Sequence, residues 1–406
     1  MLYLFVFIFI IILYVMWDRF LWGTFITPLN VLSIPYAVAV VIIIIYQKIV
    51  PGIPEFYYPS LCIWIFGLTL FIIPSTIWAK CTRKMFKGRY TAIIESRKDD
   101  SYKLLRNIAF VCIALSLFKI RNLSGNIASF GSEDFSEQYQ SSSILNHISV
   151  FLSCVFSYAI YKLDSNHKSS IIIIVGTLVG MFAIGTKSWI IAPFLIGYYS
   201  RLLTGKERLG MKTTIFPILI IVAIFFFSYY LAIVVISEQD MSNEFFVFIC
   251  NHFVDYFCGG VLTLSIDYKM GFIEPQMSTA LFAPIINVFN ALFGLEYVKT
   301  VNPVFLDIGV LGTNNVRTFF GTIIAYSRNP ALFVILSIMF STFVYYIYAV
   351  SKQSRSIFIL LANASNLTFL TFGFFDFYWL TLSSYEIPFI FLIMHVWLYS
   401  RHRNLK

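Results

Sequence analysis

Residues 214–237 read TIFPILIIVAIFFFSYYLAIVVIS, twenty-four positions without one charged side chain. Such a segment has no polar face to turn toward water. As a helix it is long enough to cross a hydrocarbon core of roughly 30 Å, which takes about 20 apolar residues. Runs of this kind recur along the 406 residues. Hydrophobic residues make up 59% of the chain and charged residues 12%, where a soluble protein carries roughly 25% charged residues; mean hydropathy is +0.81. The runs are apolar on every face and do not alternate, so helices, not barrel strands, satisfy the backbone in lipid. The sequence predicts an all-α polytopic transmembrane helical bundle, a single integral membrane domain over 1–406. It excludes a soluble globular protein.

Eleven spans can be drawn: 2–16, 31–47, 57–79, 105–120, 147–163, 168–185, 187–203, 214–237, 331–350, 356–373 and 384–400. Basic residues then orient them. Lys80, Arg83, Lys84, Lys87, Arg89, Arg97, Lys98, Lys103 and Arg106 mark a cytoplasmic loop, as do the clusters at 201–212 and at Lys352 with Arg355. The loop holding Glu133, Asp134 and Glu137 faces outward. Every basic cluster falls on one side when the N-terminus is outside and the C-terminal tail, Arg401 to Lys406, is cytoplasmic. Residues 238–330 interrupt the rhythm as one large ordered loop, placed on the outer, periplasmic side by parity. It is rich in Phe, Val, Ile and Leu, so it is not a disordered tract. Segments 245–266 and 280–294 read as helices lying on or dipping into the membrane; if they cross instead, the count rises to twelve or thirteen.

The net charge of +9 sits in the short inner loops, which an anionic inner leaflet explains without nucleic acid. The apolar start, Met1 to Met16, reads as a first helix and not as a cleaved signal. Cys62, Cys81, Cys112, Cys154, Cys250 and Cys258 have no metal-ligand spacing and are expected to be free thiols. No Walker motif, paired-His site or Ser-His-Asp spacing occurs, so no metal and no cofactor is expected.

Charge at the edge of a span is costly and marks candidate sites. Lys187, in Gly185-Thr186-Lys187, sits at the outer mouth of the seventh span, where a helix N-terminus and a cation together favour an anion such as phosphate; alternatively it snorkels. Arg317, in Asn314-Asn315-Val316-Arg317-Thr318-Phe319-Phe320, has no acid within nine residues on either side, and Arg328 follows. Guanidinium binds phosphate oxygens through paired N–H bonds. His252, Asp255, Asp267 and Asp307 are candidate proton acceptors, His252 and Asp255 sharing a helix face. Tyr256, Gly259, Gly260, Asn314, Asn315 and Thr318 are candidate substrate contacts, the glycine pair as a place where backbone approaches a ligand closely. The aromatic run Phe374-Phe375-Asp376-Phe377-Tyr378-Trp379 reads most simply as an interfacial belt.

These residues resemble those of a family. Thr27-Pro28-Leu29-Asn30 with Ser33-Ile34-Pro35-Tyr36, the Gly185-Thr186-Lys187 turn, Tyr256 to Gly260, and Asn315 to Phe320 make the chain similar to bacterial O-antigen polymerases, the Wzy-type oligosaccharide repeat-unit polymerases. Many of those carry Arg where this chain has Lys187. The resemblance implies a metal-independent inner-membrane glycosyltransferase of lipopolysaccharide and polysaccharide biosynthesis. Its partners would be an undecaprenyl-pyrophosphate-linked oligosaccharide, inner-membrane lipids and a chain-length regulator. Lys187, Arg317 and Arg328 would then hold the departing pyrophosphate. Two alternatives share parts of the pattern: a lipid-linked oligosaccharide flippase or other transporter, and an O-antigen ligase.

Overall fold

The computed structural model describes residues 2–85, 100–123, 143–165, 167–184, 188–230, 243–272, 278–327 and 329–403. In chain order the helices are α1 (Leu2–Trp22), α2 (Pro28–Ile49), α3 (Leu61–Met85), α4 (Asp100–Leu123), α5 (Ser143–Tyr161), α6 (His167–Ile184), α7 (Ser188–Leu203), α8 (Met211–Tyr229), α9 (Asn243–Lys269), α10 (Ala283–Phe293), α11 (Phe319–Ser327), α12 (Pro330–Gln353), α13 (Ile357–Thr371) and α14 (Ser383–Arg403). One two-residue hairpin, β1 (Leu306–Asp307) with β2 (Thr313–Asn314), pairs antiparallel with Leu306 opposite Asn314.

The described residues are almost entirely helical and include long apolar helices, as expected of an all-α membrane protein. Among the described residues six helices are long and apolar enough to cross a membrane. Five are expected spans. The sixth is α9, which the sequence reading assigned to the large loop: at 27 residues and 1.5 Å per residue it is about 40 Å long, more than a hydrocarbon core needs. The helix expected over 280–294 is α10, only 11 residues long. All six cysteines are free thiols.

The chain divides into two compact units. The first comprises residues 1–90, 250–353 and 366–385. Thr27 starts α2, its hydroxyl accepting from the Asn30 N–H at 3.4 Å, with Pro28 pre-set in the first turn. A buried polar cluster fastens the α1–α2 corner to α3 and α12. The Asp18 carboxylate accepts from the Ser75 hydroxyl and, at 2.9 Å, from the Tyr345 hydroxyl. Trp22 Nε1 donates to Ser75 Oγ at 2.9 Å, the Leu29 N–H to Tyr345 Oη at 3.1 Å, and Lys352 Nζ to the Trp22 carbonyl at 2.8 Å. Above this cluster lies an aromatic core. Tyr36 stacks on Trp64, Trp64 meets Phe320 edge-on at 5.0 Å, and Phe319 packs against Phe71, Phe377 and Trp379. Gly67 makes room for the Phe320 ring.

The aromatic run at 374–379 corrects an expectation. Phe377 and Trp379 are buried in this core and do not form an interfacial belt. They follow α13 into two short 3-10 turns that fold back against Phe319 and Phe340.

The second unit comprises residues 91–249, 354–365 and 386–406. Gly197 of α7 lies against Ile160 of α5, and the Ser157 hydroxyl donates to the Pro193 carbonyl at 2.9 Å. Tyr102 and Ser170 join α4 to α6 at 2.7 Å. Arg201 pairs with Asp164 at 2.8 Å and with Glu207 at 2.9 Å, while Lys206 lies over the Tyr161 ring. His147 Nδ1 lies 2.8 Å from Glu386.

The tight glycine gives a direct test. A Cβ at position 67 would sit 2.5 Å from Phe320 Cδ1, whereas one at Gly180 meets Ser116 at an ordinary 3.8 Å. Overpacking of the first kind costs about 1–3 kcal/mol. Gly67→Ala is expected to lower the thermal unfolding midpoint of detergent-extracted protein by several degrees, and Gly180→Ala to leave it unchanged or raise it.

Candidate functional site

The site belongs to the first unit and is built on the short segment between β2 and α11. Arg317 is 2% exposed. A bare guanidinium in so dry a place would be prohibitively costly; its Nε pairs with the Asp267 carboxylate, and its Nη1 donates to the Asn315 carbonyl at 2.9 Å. Asp267 stands near the C-terminal end of α9, fifty positions away in sequence. The cation singled out by sequence is therefore present and buried, and Asp267, a candidate proton acceptor, is its counter-charge.

The next residue is strained. Thr318 is buried with φ at 68°, a left-handed conformation that a β-branched residue avoids and that costs about 1–3 kcal/mol. Three contacts hold it there. Its N–H donates to the Phe375 carbonyl at 3.0 Å, its hydroxyl accepts from Trp64 Nε1 at 3.1 Å, and its carbonyl accepts the Thr322 N–H at 2.9 Å, opening α11. Thr318, expected to touch substrate, thus turns the chain from the Arg317 pair into α11.

One turn apart on α11, Thr322 and Tyr326 share a face. That face borders a cavity of about 250 Å³ lined by Thr300, Val301, Asn302, Asn315, Val316, Thr322, Tyr326, Asp376, Leu380 and Thr381. Amides and hydroxyls line it together with apolar walls, and among the described lining residues Asp376 is the one acid. Asp376 Oδ1 accepts from the Thr322 hydroxyl at 3.0 Å and from the Phe377 N–H at 2.7 Å. Burial pushes its carboxyl up to about 6, opposed by those two donors and by the Arg317 charge. Tyr326 is 3% exposed, and its hydroxyl has no hydrogen-bond partner. Burial and the nearby Asp376 charge push that phenol up to about 12, so at neutral pH it is a proton donor. The amide nitrogen of Asn315 donates to the Asn302 carbonyl at 2.8 Å, fixing two lining residues to each other.

The other expected residues fall around this cavity or elsewhere. Asn314 Nδ2 donates to Asp255 Oδ1 at 2.8 Å, and its own oxygen accepts the Val316 N–H, so both side chains serve to shape the segment. The glycine pair is a correction. Gly259 is covered by Asn314 and Asp255, and Gly260 by the Phe375 carbonyl. The close approach they permit is to the protein's own chain. His252 packs on Tyr256, and Tyr256 stacks on Phe375. Asp307 is exposed, accepts the Gly309 N–H at 2.8 Å and does not border the cavity. Lys187, with Gly185 and Thr186, and Arg328 lie outside the described residues.

Sequence reading noted Tyr326 beside the Arg317 segment and Asp376 within the aromatic run, but gave neither a chemical role. The available signal was an acid set among five aromatics in Phe374–Trp379, where partial desolvation should raise a carboxyl.

The raised carboxyl makes a stability statement. Its folded value of about 6 lies above the ordinary 3.8, so folding favours the protonated acid. That contribution is complete below about 3.8 and is lost as pH rises through 6. Asp376→Asn, neutral at every pH and still able to accept from Thr322 and Phe377, is expected to raise the unfolding midpoint by a few degrees at pH 7.5 and to change it little at pH 4. Thermal denaturation of both proteins at the two pH values checks this.

No curated protein and no solved structure matches the chain. Residues 52–404 match the family of unknown function DUF6337, a span that includes α3 through α14 and every residue lining the cavity, and the chain belongs to that family.

Proposed function

We propose that this chain is a membrane glycosyltransferase that polymerises undecaprenyl-pyrophosphate-linked oligosaccharide units at the periplasmic face of a bacterial inner membrane. The observation that carries the reading is the cavity beside Arg317. A pocket of carboxylate, amides, hydroxyls and short apolar walls suits a sugar, whose ring offers both hydroxyls and C–H faces. Its volume of about 250 Å³ falls below the roughly 300–1,000 Å³ typical of drug-sized ligands, which fits a single ring better than an extended molecule. The resemblance of Asn315 to Phe320 to repeat-unit polymerases converges on the same segment.

The chemistry needs a stabilised leaving group, an activated acceptor and exact placement of two bulky substrates. Cationic groups near the departing pyrophosphate favour its developing charge. Lys187 and Arg328 keep that role in the proposal. Arg317, already paired with Asp267, acts at longer range and by fixing the segment that forms the cavity wall. Because the donor is activated by its own pyrophosphate, no nucleotide is consumed. Much of the rate then comes from orientation.

Topology is part of the proposal. Lys352 and Arg355 keep the end of α12 with the other cytoplasmic clusters, so α12 starts outside. On this topology α13 runs outward, so Asp376, which follows it, and the cavity it borders lie on the outer side.

Two measurements test this. A strain deleted for the gene is expected to carry single repeat units on its lipid A-core, with the long glycan ladder lost from gels. Unchanged ladders would remove the polymerase reading, whereas full-length glycan accumulating on the lipid carrier would point to a ligase. For topology, Lys299→Cys in a background lacking the six native cysteines is expected to react with a membrane-impermeant maleimide in intact spheroplasts. Reaction only after permeabilisation would put the site on the wrong side for periplasmic transfer.

A further inference from the structure

We infer that the cavity beside α11 is the acceptor-sugar site, in which the Asp376 carboxylate takes the proton of the attacking hydroxyl and the Tyr326 hydroxyl donates to the same sugar. This rests on the polymerase reading and deepens it, since neither residue was assigned a role by sequence or by resemblance.

Four observations carry the assignment. The Tyr326 hydroxyl is buried, without a partner in the protein, and borders the cavity. An unpaired buried hydroxyl is costly, and a ligand hydroxyl entering the cavity supplies the missing bond. Asp376 is the one acid among the described lining residues, and it is oriented through Oδ1 by Thr322 and the Phe377 N–H. Thr322 and Tyr326 stand one turn apart on a rigid helix, so donor and acceptor are presented to a ligand from one surface. The competing acids are engaged elsewhere: Asp267 with Arg317, Asp255 with Asn314, and Asp307 with the Gly309 N–H.

The step balances. The acceptor O–H bond breaks and its proton passes to Asp376. The oxygen lone pair forms the new bond to the anomeric carbon of the donor. The anomeric C–O bond to phosphate breaks, and its electron pair leaves with the lipid pyrophosphate. Asp376 then returns its proton to water. Burial supports the role by raising the carboxyl toward the working pH, where a general base is most effective. The charged group that acts on Asp376 is Arg317, from the segment before α11, and the Asp376 charge in turn acts on Tyr326, on α11 itself.

The test uses the full chain in lipid nanodiscs, with lipid-linked repeat units extracted from the deletion strain as both donor and acceptor. Product length is read on gels and rates from initial slopes. Asp376→Asn is expected to lower kcat on the order of 100-fold or more, with a much smaller change in KM. In the wild type, kcat/KM should fall about tenfold per pH unit below about 6, and Asp376→Glu should restore part of the rate with a shifted acid limb. Tyr326→Phe is expected to raise KM for the repeat unit about tenfold while leaving kcat within a few-fold. An Asp376→Asn protein that retains the wild-type rate and pH profile, or a Tyr326→Phe protein with unchanged KM, overturns the assignment and leaves the polymerase reading standing. A wild-type protein that lengthens nothing overturns the polymerase reading, and the assignment with it.

Discussion

The ion pair between Arg317 and Asp267 is the constraint on which the site is built. Both side chains are almost wholly buried, inside a protein whose exterior is largely apolar. Removing either partner would strand the other as an unpaired charge, which costs several kcal/mol by analogy with other buried pairs. A pair of this kind is weak evidence for net stability, because desolvation offsets most of the attraction. Its consequence is specificity of position. It ties the end of α9 to the segment before α11. From that fixed point Thr318 is held in a left-handed conformation, α11 begins at Phe319, and Thr322 and Tyr326 emerge on the face that borders the cavity.

The packing around the pair follows the same logic. Gly259 and Gly260 lack side chains because Asn314 and the Phe375 carbonyl occupy that space. Phe319 and Phe320 are two consecutive buried rings, one meeting Phe377 and Trp379, the other Trp64. Trp64 in turn holds Thr318 by its indole N–H. The strained residue is thus gripped from α3 and from the turn after α13, as expected for unfavourable backbone that persists only where its surroundings over-determine it.

The helices were legible in the sequence because a bilayer demands long apolar runs, and such runs are visible residue by residue. Residues 331–350 became Pro330–Gln353, and 147–163 became Ser143–Tyr161. Arg317 stood out in the sequence because a lone cation among amides and aromatics is unusual, and the structure buries it in an ion pair. The pairing was not legible, since Asp267 stands fifty positions away and only the tertiary fold brings it near. The aromatic run at 374–379 misled for a physical reason. Rings at a helix end look alike in sequence whether they face lipid headgroups or a protein core, and burial alone separates the two. Asp376 was lost in that ambiguity. The glycine pair misled similarly, because close backbone approach can be to a ligand or to the chain itself.

Arg317 and Asp376 divide the electrostatic labour that the proposed reaction requires. A base must be ionised to accept a proton, yet burial disfavours its charge. Hydrogen bonds from the Phe377 N–H, the Thr322 hydroxyl and the Arg317 backbone, with the Arg317 charge, offset part of that penalty and leave the carboxyl at about 6, close enough to neutrality to be ionised at rest and protonated in turnover. An Arg317 without its carboxylate partner would depress it further and weaken the base. Pairing Arg317 with Asp267 mutes its charge as felt at Asp376, so the ion pair that fixes the geometry also moderates the acidity. When the proton reaches Asp376, negative charge leaves the cavity wall as it develops on the pyrophosphate. The site then has one anion fewer to repel the departing group, and this ordering of charge follows from keeping the cation partnered and the base half-buried.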